Sequence, residues 1–240
     1  MKAIVLSCDK RLPIVHHMLC TYEACWPSNQ FVFRIPYNRE YPRSIAETWG
    51  KKICPCETEP AIRATALGLL SNIEDDEWVY WCIDDKYLIA LDADKARRTY
   101  KWVSSVQDPE VAGVTFAFVR KVPRVIKPDS RIYHDGLPFY ELREPRNVWI
   151  HQFFRAGIIR KFFEDMPEVS RAKQMDRFAV DIMKRITRDK RVYALGEKIV
   201  QFGESTTRGL LTENCVGSFE SYDLPIPADF ERSSRHIVIR

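Results

Sequence analysis

A repeated alternation along the first 119 residues most constrains the fold. Short apolar runs rich in β-branched side chains recur there: "KAIVLSC" from Lys2, "QFVFRIPYN" from Gln30, "WVYWCI" from Trp78 and "VAGVTFAFV" from Val111. Stretches with helical spacing alternate with them. The clearest is "EPAIRATALGLLSNIEDD", whose apolar Ile62, Ala66, Leu69, Leu70 and Ile73 fall at offsets 0, 4, 7, 8 and 11, one face of an α-helix. Leu12, Val15, Leu19 and Tyr22 mark another helix, with Pro13 suited to its first turn. Asp92 is placed to cap a third, "DADKARRTYKWVSSVQD". Arg43–Trp49 reads as a short helix and "KKICPCE" as a short edge strand. Strand and helix alternating four times predict a mostly parallel sheet covered by helices.

The second half changes character. "HDG" signals a hairpin, "VWIHQFF" a strand, and "RAGIIRKFFEDM" and "SRAKQMDRFAVDIMKRITRDK" two helices. "RVYALGEKIVQFGE" supplies a last strand or two. The expectation is one α/β domain over residues 1–240, with halves 1–119 and 120–240 and a change of character at Pro123–Pro128. The second half is mixed α+β.

A net charge of +4, from 37 basic and 33 acidic residues, suits an anionic ligand or loose contact with an anionic membrane surface. It lacks the dense basic stripe of a nucleic-acid binder. The basic tail "ERSSRHIVIR" reads as a solvated segment. "MKAIVLSCDKR" turns polar after Leu6, too early for a secretory leader. No apolar run approaches the ~20 residues of a membrane span. The expected location is cytoplasmic. The seven cysteines are expected to be reduced, with Cys20, Cys25 and Cys82 in apolar settings. Cys54 and Cys56 lack a second pair at zinc spacing.

In parallel sheets, ligands bind beyond the carboxyl ends of strands, here "SCDKR" and "CIDDK". Asp84 and Asp85 are adjacent, and on a regular strand they would point to opposite faces. At a strand end the chain turns, so both can reach one crevice. There they repel unless a cation or hydrogen-bond donor neutralises them. Mg²⁺ or Mn²⁺ is suited to that task, because hard cations share carboxylate and phosphate oxygens. The alternative is a charged turn that only ends the strand.

"AIRATALGLLSNIEDDEWVYWCIDDKYL" resembles the GT-A glycosyltransferases, particularly the large inverting family that includes many bacterial polysaccharide transferases. Arg63, Ala64, Leu67, Gly68 and Leu69 match the family's helix. Trp78–Ile83 match its apolar strand, and Asp84 and Asp85 its DxD-type acidic cluster. The resemblance holds in order and spacing over residues 1–119 and is looser beyond. It implies a GT-A-like, Rossmann-like fold. It also implies transfer of a sugar, with inversion, from a nucleotide-diphosphate donor to a saccharide or other hydroxyl acceptor, as in polysaccharide or glycoconjugate synthesis.

Carried over residue by residue, the resemblance places Ser7, Cys8, Asp9 and Arg11 at the nucleotide base and ribose. Arg63 would lie along the nucleotide, Asp84 at the ribose or metal, and Asp85 on the metal that holds the diphosphate. Lys86 departs from the pattern. Either it points away from a metal held by Asp85, or it neutralises the diphosphate in the metal's place. The family's late His is also missing from "IVQFGESTTRG". Glu204 or His236 would complete a Mn²⁺ or Mg²⁺ site, or Arg208 would grip the diphosphate.

An inverting transferase needs a base for the acceptor hydroxyl, often an Asp or Glu near the start of a helix in the acceptor half. The matching segment is "QMDRF". At 100° per residue Asp176 borders the apolar face and Asp181 lies opposite, so Asp176 is the expected base, ahead of Glu164 and Asp165. Trp149, Tyr133, Phe139 and Tyr140 are the candidate acceptor platform. His16, His17, His134 and His151 read as structural. Two other readings remain: a non-catalytic nucleotide-sugar-binding or scaffold protein on this fold, and a nucleotidyltransferase. "SCDKRLP" lacks the glycine-rich loop expected of the second, and neither dinucleotide nor P-loop signatures occur.

Overall fold

The computed structural model describes residues 1–116, 125–143, 148–169 and 172–239. Ala117–Val119 of the fourth predicted strand, the boundary between the halves, Pro123, and Ser170 and Arg171 lie outside the described residues. The first half comprises β1 (Lys2–Leu6), α1 (Leu12–Cys25), β2 (Val32–Tyr37), α2 (Arg43–Trp49), β3 (Ile53–Glu57), α3 (Ile62–Leu69), β4 (Trp78–Ile83), β5 (Lys86–Leu91), α4 (Ala93–Ser105) and β6 (Val111–Thr115). Then follow β7 (Ile126–His134), β8 (Leu137–Leu142), β9 (Gln152–Arg155), α5 (Ala156–Asp165), α6 (Ala172–Ile186), β10 (Arg191–Leu195) and β11 (Val200–Glu204). The last elements are β12 (Thr206–Thr207), β13 (Leu210–Leu211), α7 (Glu213–Ser221) and β14 (Val238–Ile239).

Nine strands form one sheet in the order β3-β2-β1-β4-β9-β6-β10-β8-β7. β1 pairs in parallel with β2 and β4, β2 with β3, and β6 with β10. β9 is antiparallel to β4 and β6, and β8 to β10 and β7. All strands of this sheet except β8 and β9 therefore run the same way, as the alternation predicts. β3 is the edge strand expected of "KKICPCE".

Successive strand residues feed opposite faces. Ala3 and Val5 of β1, with Tyr80 and Cys82 of β4, join a core with Val15, Met18, Leu19 and Tyr22 of α1 and Val103 of α4. Ile4, Val79, Trp81 and Ile83 face the other way, onto α3, α5 and α6. Burial on both faces explains why these strands read as continuous apolar runs. Asp92 caps α4 as expected, accepting from the Lys95 amide. The "HDG" hairpin joins β7 to β8, with Asp135 and Gly136 at φ 47° and 75°, the left-handed pair of a two-residue turn.

Some local expectations need correction, and one strand was not expected. The helix on Ile62 ends at Leu69, and the chain turns through Asn72 at φ 57°. Leu70 and Ile73 keep their core positions from beyond that end. The segment after Asp85 is a strand, β5, in a separate sheet of order β14-β11-β5. The basic tail is exposed at Glu231, Arg232, Arg235 and His236, as expected of a solvated segment, but its end is tied down: Val238 and Ile239 pair with Gly203 and Phe202. All seven cysteines are free, and Cys20 and Cys25 are half-buried rather than fully buried. Among the described residues, no helix is long and apolar enough to cross a membrane.

Candidate functional site

The chain runs β1, β2, β3 to one side of β1, then places β4 on the other side. The carboxyl ends of β1 and β4 therefore flank the point where strand order reverses, the usual ligand crevice of an open α/β sheet. A cavity of about 430 Å³ lies there. Its charged lining is Arg11, Asp84, Asp85, Lys86, Lys173, Asp176 and Glu204. Ser7, Cys8 and Trp149 also line it.

The acidic pair sits at a junction between sheets. β4 belongs to the large sheet and β5 to the small one, and Asp84 and Asp85 form the tight turn between them. The Asp84 amide donates to Leu6 O, 3.3 Å, extending the ladder beyond β4. The Ser205 amide donates to Asp85 O, 2.7 Å, and ties the turn to the small sheet. A turn rather than a strand is what lets adjacent carboxylates reach one cavity.

Asp84 is held from the end of β1. Ser7 Oγ donates to its Oδ2 at 2.5 Å, and Arg11 Nε lies 3.1 Å from the same oxygen without hydrogen-bonding alignment. Arg11 Nη2 donates to Thr206 Oγ1, 2.9 Å. Burial pushes the Asp84 carboxyl up to about 6, against the opposing pull of Arg11. Burial also raises the Cys8 thiol, which disfavours its thiolate form.

The raised Asp84 pKa sets a stability trade. The folded chain holds this proton more tightly than the unfolded chain does, so ionising Asp84 destabilises the fold. That cost is absent near pH 4, grows as pH rises and is complete above about 6. Asp84→Asn is expected to stabilise the ligand-free protein by about 1–3 kcal/mol at pH 8. The gain should shrink towards pH 4. Urea unfolding at both pH values checks this; a gain equal at pH 4 and pH 8 would show that Asp84 ionisation carries no such cost.

Asp85 and Glu204 are held by Lys86. Its Nζ donates to Asp85 Oδ1 at 3.1 Å and to Glu204 Oε1 at 2.9 Å. The Lys86 side chain is 5% exposed, that of Asp85 31% and that of Glu204 25%. The pairing is built into the ladder, because Lys86 and Glu204 are register partners of β5 and β11 and directly opposite side chains are neighbours. Next to them, Gly203 admits the Tyr87 ring: a Cβ at 203 would lie 2.3 Å from Tyr87 Cζ.

Behind the turn lies a buried relay. His151 Nε2 is 2.8 Å from Ile83 O, and Tyr22 Oη is 2.6 Å from His151 Nδ1 and 2.9 Å from Tyr80 Oη. A carbonyl only accepts, so Nε2 carries the hydrogen and Nδ1 accepts from Tyr22. Burial pushes the ring down to about 4. His151 is therefore a neutral structural group that fixes the residue before Asp84.

The remaining expected residues are dispersed. Arg63 lines a neighbouring cavity with Glu59, Leu67, Met166 and Glu168. The Asp9 carboxylate accepts from the Asn38 and Arg39 amides, 2.8 and 3.0 Å, and holds the loop after β2. Arg208 is exposed at the tip of the β12–β13 hairpin, at φ 54°. His236 is exposed and does not line the central cavity. Asp176, exposed on the first turns of α6, does line it. Asp165 pairs with Lys161 and Arg185, and Glu164 lies 3.9 Å from Lys161. Of the aromatic platform, Trp149 lines the cavity. Phe139 instead packs in the core against Trp102, with ring centroids 4.1 Å apart. Tyr133 is 58% exposed on β7, at the far edge of the sheet, and Tyr140 is half-buried on β8. Lys173 was missed, although three residues before Asp176 on one helix is the spacing of a shared face.

The expected cation site has a specific form. Among the described residues, no three His, Cys, Asp or Glu side chains converge as a metal cage. Lys86 takes one oxygen of Asp85 and one of Glu204; no hydrogen bond among the described residues engages Asp85 Oδ2 or Glu204 Oε2. These two partly exposed carboxylates, both paired with Lys86, are the hard-oxygen donors that a divalent ion would have to use there.

No family model matches the chain, and no curated protein matches it. Solved structures do. Residues 1–349 of S. aureus TarS superpose with a TM-score of 0.53 at 13% identity, over 83% of this chain and 58% of that one. The same fragment in complex with UDP gives 0.50 at 13%, over 83% and 59%. This chain thus spans less than two thirds of the TarS fragment. The galactosyltransferase LgtC with donor and acceptor sugar analogs gives 0.44 at 12%, over 91% and 78%. A 4-diphosphocytidyl-2C-methyl-D-erythritol synthase gives 0.41 at 10%, over 75% and 84%. The sheet order and the TarS superposition establish a GT-A fold.

Proposed function

We propose that the chain is a glycosyltransferase that moves a sugar from a nucleoside-diphosphate donor to a hydroxyl acceptor with inversion. One observation carries this reading. At the strand-order reversal of a GT-A sheet, the Asp84–Asp85 turn and Asp176 of α6 line one cavity. The UDP complex of the TarS fragment supports UDP as the first nucleotide to try.

In this reading the nucleoside lies against Ser7, Cys8 and Arg11, and Asp84 accepts from the ribose. The diphosphate lies between the Asp85–Glu204 pair and Lys173. Asp176 accepts the proton of the acceptor hydroxyl. The acceptor oxygen bonds to the anomeric carbon from the face opposite the leaving group. The bond from that carbon to the phosphate oxygen breaks, and its electron pair leaves with the nucleoside diphosphate. Asp85 and Glu204 would hold Mn²⁺ or Mg²⁺, which when bound supplies positive charge to the diphosphate. The cavity wall needs such a charge, since Arg11, Lys86 and Lys173 face four carboxylates there. Trp149 offers the acceptor an aromatic face.

Incubation with UDP-, GDP- and CDP-sugars and Mn²⁺, followed by assay of released nucleoside diphosphate, tests the proposal. One donor is expected to be cleaved, slowly with water and faster with a hydroxyl acceptor. Tight binding without cleavage of any donor would favour a scaffold over an enzyme.

A further inference from the structure

We propose that the second cavity, beside the central one, takes a hydrocarbon group of the acceptor, so that the acceptor is an amphiphile: a hydroxyl-bearing head joined to an apolar chain. This rests on the transferase reading above and names the class of acceptor.

The cavity arises where one helix carries small residues. Ala61, Ala64 and Leu67 recur at every third position, Ala61 as the N-cap of α3. That spacing puts Ala64 and Leu67 on one face of the helix, and the two alanines leave the wall short of side-chain volume. Ala66, Leu69 and Leu70 turn into the core, whereas Ala64 and Leu67 stay half-buried. Met166, Pro167 and Val169, between α5 and α6, and Met175 of α6 join them around a space of about 500 Å³. That is the size of an ordinary small-molecule site.

The chemistry of this wall selects hydrocarbon over sugar. Among the described residues its charged or polar side chains are Glu59, Arg63 and Glu168, and both glutamates are exposed. No aromatic ring lines it among the described residues. A saccharide placed there would give up hydrogen bonds to water and find few in return. A hydrocarbon chain gives up none and gains by leaving water. Ile62, Leu67 and Val169 are half-buried, so a chain lying on them covers their apolar surface too.

Its position ties the cavity to the acceptor and not to the nucleotide. The two cavities share Ile62 and Met175. Met175 directly precedes Asp176, the base proposed for the acceptor hydroxyl. Ser7, Arg11 and Asp84, proposed to hold the nucleoside, line the central cavity and not the second one. A molecule that brings its hydroxyl to Asp176 therefore has a route over Met175 and Ile62 into the apolar space.

The test reads transfer and binding separately on the intact protein. Methyl and octyl glycosides of glucose, galactose, mannose and N-acetylglucosamine, below the micelle concentration, serve as acceptors with UDP-, GDP- and CDP-sugars and Mn²⁺. Wild-type protein is expected to prefer an octyl glycoside to its methyl counterpart by at least about 10-fold in kcat/KM, the effect of burying about two methylene groups. Leu67→Gln makes the wall polar and Ala64→Met fills the space. Each should bring the preference to within about threefold, less than one buried methylene is worth. Each should leave use of the methyl glycoside within about twofold of wild type, and either decides the matter if the other does not fold. For binding, Nile red fluorescence should rise with wild-type protein and fall on addition of octyl glucoside but not methyl glucoside. Both variants should lose that signal. Equal use of methyl and octyl glycosides by wild type overturns the proposal, as does a preference or a Nile red signal that both variants keep. Light scattering that finds a dimer in wild type and a monomer in Leu67→Gln would assign the wall to a second copy of the chain and also overturn it. Nile red and octyl glucoside binding as expected, with no nucleotide sugar cleaved under any condition, is a separate result: the transferase reading fails and the acceptor role falls with it, while the site for a hydrocarbon chain stands.

Discussion

Asp176→Asn is expected to lower the transfer rate by about 10²–10⁴-fold, the usual contribution of a positioned general base, while nucleoside-diphosphate affinity stays unchanged. Asp176 lies on α6 and lines the same cavity as the turn that joins the two sheets. The proposed donor contacts, Ser7, Cys8, Arg11, Asp84, the Asp85–Glu204 pair and Lys173, do not include it. Asparagine keeps the size and polarity of the side chain and cannot take the acceptor proton. Single-turnover transfer and calorimetric titration with UDP separate the two effects. Loss of nucleotide binding in this variant would remove Asp176 from the role of base.

Asp85→Asn should show the reverse pattern. It removes one of two carboxylates proposed to hold the ion and leaves Lys86 with Glu204 as its remaining ionic partner. Changing a group that merely orients a metal ligand typically costs 10–100-fold in affinity. Loss of a direct ligand should therefore weaken Mn²⁺-dependent nucleotide binding by about 100-fold or more. Metal-independent binding, made by Ser7, Arg11 and the cavity wall, should persist at its lower level. Titration with UDP, with and without Mn²⁺, reads both. Equal losses of affinity in Asp85→Asn and Asp176→Asn would contradict the division of roles.

Most of the scaffold was legible because its cause is local and periodic. The apolar runs of β1, β2 and β4 are continuous because both faces of the sheet are covered, and the α3 and α6 stripes follow the helical period. β5 was not legible. "KYLIAL" follows an acidic pair with no punctuating glycine or proline, and only the pairing with β11, over a hundred residues away, makes it a strand. The end of the tail was missed for a similar reason: its basic composition suggests solvation, while its hydrogen bonds go to the edge of a distant strand.

The site divides along the same line. Asp84, Asp85 and Asp176 were read as candidates from a strand end and a helix border, both local features, and all three line one cavity. Arg63 lies on the expected helix, but it lines the adjoining cavity and not the one beyond β1 and β4. Asp9 has the right loop, but its carboxylate is consumed by two backbone amides. The two registers for Lys86 could not be separated in sequence. Its partner Glu204 is 118 residues away, and the buried ammonium that joins the two carboxylates exists only once both sheets have formed.

Calorimetric titration of the intact protein with UDP, GDP, CDP and ADP in the presence of Mn²⁺ tests the donor site most directly. At least one nucleotide is expected to bind at a single site and, at 100 times its dissociation constant, to add about 2.7 kcal/mol to the unfolding free energy. If none of the four binds with Mn²⁺ or with Mg²⁺, the cavity between β1 and β4 is not a nucleoside-diphosphate site.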